Sequence, residues 1–181
     1  MARKLSNLPP LVLGILGLAL VSLAAQATLE IPLSPVPVTL QTLAVMLVAG
    51  FAGPRSAALS MLAYLAAGAL GAPVFADGGS GVDLLLGPTG GFLWAFPVAA
   101  WSVGQGLQRS RGPWSRGAVI IAGHMGIMAL GCLGLLAFGR EPADISRLVL
   151  QLAPGCIVKS GTALLLLELA GFRGTRRSRS R

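Results

Sequence analysis

The sequence predicts an all-α membrane protein of six transmembrane helices with both the N- and C-termini in the cytoplasm. Composition gives the first reason. Hydrophobic residues make up 54% of the 181-residue chain and charged residues 11%, with a mean hydropathy of +0.78. A soluble domain carries about 25% charge. So few charges cannot cover a surface facing water, so the outside faces lipid. The second reason is spacing: apolar runs fall at 10–27, 38–52, 55–71, 91–108, 117–138 and 148–171. A spanning helix takes roughly 20 mostly apolar residues, so this length fits six spans with short loops.

The third reason is where the charges lie. With a cytoplasmic N-terminus, the inner segments carry Arg3, Lys4, Arg55, Arg109, Arg111, Arg116, Arg173, Arg176, Arg177, Arg179 and Arg181. The outer segments carry Glu30, Asp77, Asp83, Glu141 and Asp144 against Arg140 and Arg147. Cations collect on the cytoplasmic side of membrane proteins, and six spans with both ends inside give this separation. The net charge of +8 therefore reads as topology. The basic tail, residues 172–181, anchors to anionic lipid rather than to nucleic acid.

The elements between the runs are punctuated clearly. Pro32, Pro35 and Pro37 break the chain after the first run, and Gly53-Pro54-Arg55 turns it after the second. A glycine-rich irregular stretch covers 71–91, and Gly112-Pro113 and Glu141-Pro142 mark two further loops. Arg3, Lys4, the first run and Ala25-Gln26-Ala27 together imitate a secretory signal with its cleavage site. The rest of the chain is itself a membrane domain, so the first helix is expected to be retained.

Cys132 and Cys156 both sit in apolar runs, which suggests neither a disulfide framework nor a zinc site. The segment Gly155 to Ser160 lacks the spacing of a nucleotide loop. No nucleophile–base pair, paired carboxylates or metal cluster is evident, so no enzyme activity, cofactor or metal is expected.

Three ionisable residues fall inside apolar runs: His124, Lys159 and Glu168. Such residues are costly in lipid and face the bundle interior or a cavity. Glu168, close to Arg173 in sequence, is expected to be a local ion-pair partner. His124, in Gly123-His124-Met125-Gly126, is expected to bond a neighbouring carbonyl. Lys159 lies about twelve residues into the last run, too deep to reach the outer surface easily. A water-filled opening or an anionic ligand would offset its cost. Cys156 shares its helix face. Thr39, Gln41 and Thr42 bring polar groups to the start of the second run. Gly87-Pro88-Thr89-Gly90-Gly91 precedes the fourth run, where glycines free backbone N–H groups for a ligand or form a tight loop with Thr89 as N-cap. Thr39, Gln41, Asp77, Thr89, Gly90 and Lys159 thus gather toward one outer opening, the usual design of a small-ligand site.

The stretches Pro35-Val36-Pro37-Val38-Thr39-Leu40-Gln41-Thr42, Gly71-Ala72-Pro73-Val74-Phe75-Ala76, Gly87-Pro88-Thr89-Gly90-Gly91 and Pro154-Gly155 with Lys159 carry a resemblance from the first span to the last. The chain resembles the BioY family, the substrate-capture (S) subunits of energy-coupling-factor (ECF) biotin transporters. The resemblance implies one S-component-like transmembrane domain over 1–181 in a bacterial-type plasma or inner membrane, with a biotin pocket near the outer face. It implies a membrane coupling subunit and ATPase subunits as partners, since nothing in this chain powers transport. In the family an acidic residue stands where this chain has Cys156, and a thiol accepts hydrogen bonds only weakly. Lys159 would then pair with the biotin carboxylate or, as the lesser alternative, donate to the ureido oxygen. Phe75 and Phe92 would pack the rings, and Thr39, Gln41 and Thr89 would supply neutral hydrogen bonds. Either Asp77, Thr89 or backbone carbonyls would replace the missing acceptor, or affinity would be reduced. Two other readings are uptake of another small vitamin-like acid and a membrane scaffold with no solute.

Overall fold

In a computed structural model, residues 8–29 and 38–172 are described. The proline-rich stretch 32–37, Glu30 and the basic tail beyond Phe172 lie outside the described residues. The helices are α1 (Pro10–Ala25), α2 (Gln41–Ala69), α3 (Val82–Leu86), α4 (Gly90–Arg109), α5 (Pro113–Ala137) and α6 (Pro142–Leu169). Apart from a short 3₁₀ turn at Ala76–Gly78, the other regular elements are β1 (Thr28–Leu29) and β2 (Val38–Thr39). They pair antiparallel with Thr28 opposite Thr39.

α1 shows how the bundle sorts its residues. Pro10 occupies the first turn, where its missing N–H costs nothing. Leu13, Gly17, Val21 and Ala25 are buried at a spacing of four, while Leu11, Ile15, Leu16, Leu20 and Leu23 stay exposed. Apolar side chains on the outside suit a lipid solvent. Trp94, Trp101 and Trp114 are exposed as well.

α2 is two helices. Gly53 takes φ 76°, ψ 170°, a left-handed-side conformation that glycine adopts without strain. Pro54 follows and cannot donate to the preceding turn. The chain reverses there, because Gln41 Nε2 donates to Tyr64 Oη at 2.6 Å. In a straight helix those two residues would stand about 35 Å apart at 1.5 Å per residue. By length and composition α2, α5 and α6 each suffice to cross a membrane, but the reversal makes α2 a pair of antiparallel arms, 41–52 and 54–69. The described residues thus hold six long helical segments, matching the six apolar runs, plus short α3.

The segments pack in sequence and then close. α1 lies on α2, α4 on α2 and α5, and α5 on α6, which returns to α2. Val45, Met46, Met61, Tyr64, Phe96, Val103, Leu107 and Ile120 form the centre. A second cluster of Met128, Cys132, Leu135, Leu148 and Leu152 joins α5 to α6. Close approaches occur at glycine. A Cβ on Gly104 would lie 2.7 Å from Pro54 Cα, one on Gly91 2.6 Å from Leu130 O, and one on Gly17 2.5 Å from Ser60 Oγ.

Two expectations change. α6 begins at Pro142 rather than 148, because Pro142 and Asp144 suit a helix start even though the apolar run begins later. Glu168 is an ion-pair partner, but of Arg116 on α5, at 2.6 Å. Arg116 is itself buried and lies 5.6 Å from the Phe172 ring centre. Arg173 lies outside the described residues.

Replacing Gly104 by leucine should push α4 off the Gly53 reversal and cost about 1–3 kcal/mol or more, seen as a lower Tm of the detergent-solubilised protein. Gly126→Ala, where an added Cβ meets nothing within 4 Å, should leave Tm unchanged.

Candidate ligand-binding site

Lys159 lies about 26 Å along α6 from Pro142 at 1.5 Å per residue. Helical side chains lean toward the N-terminus, which carries the ammonium back toward the start of α2. Lys159 Nζ donates to the Thr39 carbonyl at 3.2 Å. The lysine is half-buried. An ammonium has three donors. Among the described residues the one ion pair is Arg116–Glu168, so no described carboxylate neutralises Lys159.

The network continues from Thr39. Its hydroxyl donates to Gln41 Oε1 at 2.9 Å and accepts from the Gln41 backbone N–H at 3.3 Å. Gln41 Nε2 then donates to Tyr64. Lys159, Thr39, Gln41 and Tyr64 therefore form one polar chain linking α6, β2 and both arms of α2. Thr39, Gln41 and Tyr64 are buried. Buried polar groups need such partners because an unpaired one costs about 1–3 kcal/mol.

An aromatic group backs the chain. Tyr64 meets Phe75 edge-on with ring centres 5.3 Å apart, and Phe96 lies 6.4 Å away. Phe75 is 2% exposed and packs over Gly68, where any Cβ would overlap its ring. Cys156 and Phe92 border the second apolar cluster together with Val38. Phe92 rests on Gly131, and a Cβ on Gly155 would stand 3.8 Å from Val38 and 3.9 Å from Lys159 Cε. Lys159, Thr39, Gln41, Phe92 and Cys156 thus occupy one region, and Phe75 reaches it through Tyr64.

Asp77, Thr89 and Gly90 have other neighbours. Asp77 is exposed, takes φ 54° and accepts from Thr28 Oγ1 at 2.7 Å. Thr89 stands at the N-cap position of α4, yet makes no side-chain cap. Its backbone is already helical, whereas a capping residue is extended. Gly90 presses on Leu85 O so closely that no Cβ fits. The glycine-rich turn packs α3 against α4.

Residues not singled out from the sequence hold this frame. Gln26 Nε2 donates to Phe75 O at 3.1 Å, and Gln26 Oε1 accepts from Gly78 N–H at 3.0 Å. One amide thus ties the end of α1 to the turn after α2. Tyr64 carried a readable signal: it is the chain's one tyrosine and lies in an apolar run, where a buried hydroxyl demands a partner. A groove between α4 and α5, lined by Ala95, Val98, Gly106, Ala122 and Gly126, is nearly all apolar and apart from these polar groups.

The fold is that of a helical membrane protein, with apolar helices long enough to cross a bilayer and a buried polar chain inside the bundle. The fold matches that in "Crystal structure at 2.1 A of the S-component for biotin from an ECF-type ABC transporter", with a TM-score of 0.83 and 22% identity over 91% of this chain and 92% of that one. The BioY family model matches residues 1–174, and the chain belongs to the BioY family. It is 42% identical to biotin transporter BioY2 of Lactococcus lactis subsp. cremoris over 85% of each chain. It is 35% identical to a probable biotin transporter BioY of Pyrococcus horikoshii over 84% of this chain and 90% of that one.

Tyr64→Phe removes the acceptor for Gln41 Nε2 and should lower stability by about 1–3 kcal/mol. Thermal unfolding in detergent measures this, and adding Gln41→Leu should restore part of the loss.

Proposed function

We propose that this protein is the membrane-embedded capture subunit of an ECF-type biotin transporter, taking biotin from the extracytoplasmic side of the cell membrane. The observation that carries the reading is Lys159, inside the bundle with a backbone carbonyl as its described partner and no described carboxylate beside it. Its unused donors suit a ligand carboxylate, and burial strengthens such a charge-assisted bond. Biotin combines that carboxylate with an apolar bicyclic ring and a polar ureido group. Phe92, Cys156 and Val38 offer apolar surface next to Lys159. The relatives are themselves named biotin transporters.

The topology we propose is six spans with both ends cytoplasmic and a basic tail on the inner surface. The Gly53 reversal carries Arg55, and the α4–α5 junction carries Arg109 and Arg111. The α5–α6 junction, at the other end of α5, carries Glu141 and Asp144 with Arg140, an asymmetry that supports this orientation. Asp77, Thr89 and Gly90 then belong to outer turns that shape the mouth of the site. The capture subunit binds and does not hydrolyse ATP. A membrane coupling subunit and ATPase subunits supply the energy.

Lys159→Ala should weaken biotin binding by about tenfold to a hundredfold, the range for a hydrogen bond to a charged group. Calorimetry on the purified protein measures it, and equal affinity of the variant and the parent would remove Lys159 from the site.

A further inference from the structure

His124 is 2% exposed. Its Nδ1 lies 3.2 Å from Ile120 O on its own helix and 2.9 Å from Ser160 Oγ on α6. The expectation that this histidine bonds a neighbouring carbonyl is met by Nδ1 alone. The Ile120 carbonyl only accepts, so when it holds the ring proton that proton is on Nδ1 and Nε2 is a bare lone pair; when Nδ1 instead accepts from the Ser160 hydroxyl, the proton is on Nε2. Nε2 is buried and has no hydrogen-bond partner among the described residues.

The position of that atom is informative. Nδ1 is fastened to α5 and α6, and Nε2 is the ring atom farther from the α5 backbone. Ser160 adjoins Lys159 in sequence, and the neighbouring Gly123 packs against Val103 of α4 and Met46 of the first α2 arm. His124 therefore sits where α5 meets α6, beside the residue that adjoins Lys159. A buried lone pair without a donor is costly, and a bound N–H would satisfy it.

We infer that His124 Nε2 is a specificity-determining acceptor that takes a hydrogen bond from an N–H of the bound ligand. The inference rests on the biotin reading, in which the donor is a ureido N–H. Lys159 then selects for the acid and His124 for the ureido nitrogen, while Cys156 contributes shape. Ser160 acts as a positioning residue by holding the ring.

The chain has one histidine, so ¹⁵N-histidine labelling gives a single pair of ring resonances. The expected spectrum of the free protein is an Nδ1–H tautomer. Saturating biotin should move the Nε2 resonance upfield, toward a hydrogen-bonded acceptor. His124→Phe should weaken biotin binding about threefold to tenfold, and His124→Gln, whose Oε1 offers a lone pair at similar reach, should recover part of that loss. Biotin that binds saturably while Nε2 stays unmoved overturns the inference and leaves the biotin reading standing. So does His124→Phe binding biotin as tightly as the parent. Absence of any saturable biotin binding by the parent overturns the biotin reading and this inference with it. The labelled parent protein gives the answer even where the phenylalanine variant fails to fold.

Discussion

The bundle depends on how closely its backbones approach one another. Lipid tails are as apolar as leucine, so expelling them from between helices yields little, and association rests on packing and hydrogen bonds. The contact of Gly104 with Pro54 is the clearest instance. It lets α4 lie on the reversal at Gly53 and so holds the two arms of α2 side by side. With the arms apart, Gln41 could not reach Tyr64. Gly91 beside Gly134 and Gly17 beside Ser60 fix α5 and α1 in the same way.

That frame is what makes a polar interior tolerable. Each group in the chain from Lys159 through Thr39 and Gln41 to Tyr64 satisfies the next, and each sits on a different element or on a different arm of α2. Removing one member would leave its buried neighbours without their partner. The network also explains why the two-residue β pair exists. β2 presents the Thr39 carbonyl to Lys159, while β1 presents Thr28 to Asp77.

Much of the fold was legible in the sequence because lipid imposes a length and a charge rule that each segment obeys separately. The six apolar runs correspond to the six long helical segments, and Gly53-Pro54 marks its reversal in plain letters. Lys159 stood out because a deep lysine is expensive wherever its partner lies. The partners themselves were not legible. Glu168 bonds Arg116, 52 residues away, and Asp77 bonds Thr28 across 49 residues. Gln26 read as part of a cleavage signal, yet its amide clamps the turn at Phe75–Gly78. Such pairings follow from helix order in space, which one sequence does not state. Thr89 shows the converse error: its residue type suits a cap, but its backbone conformation does not.

The first arm of α2 is short, and its length sets a thickness. Residues 41–52 rise about 18 Å against a hydrocarbon layer of about 30 Å. In the proposed topology, with the Gly53 turn at the inner surface, Thr39 and Gln41 then stand well inside the membrane. On that proposal, a solute held beside them would have left the outer aqueous phase, and the barrier still ahead of it would be about as thick as that single arm. One helical turn added to or removed from the arm would move the solute's resting depth by about 5.4 Å. The register of a twelve-residue segment thus works as the ruler for how much insulation separates the captured molecule from the other side.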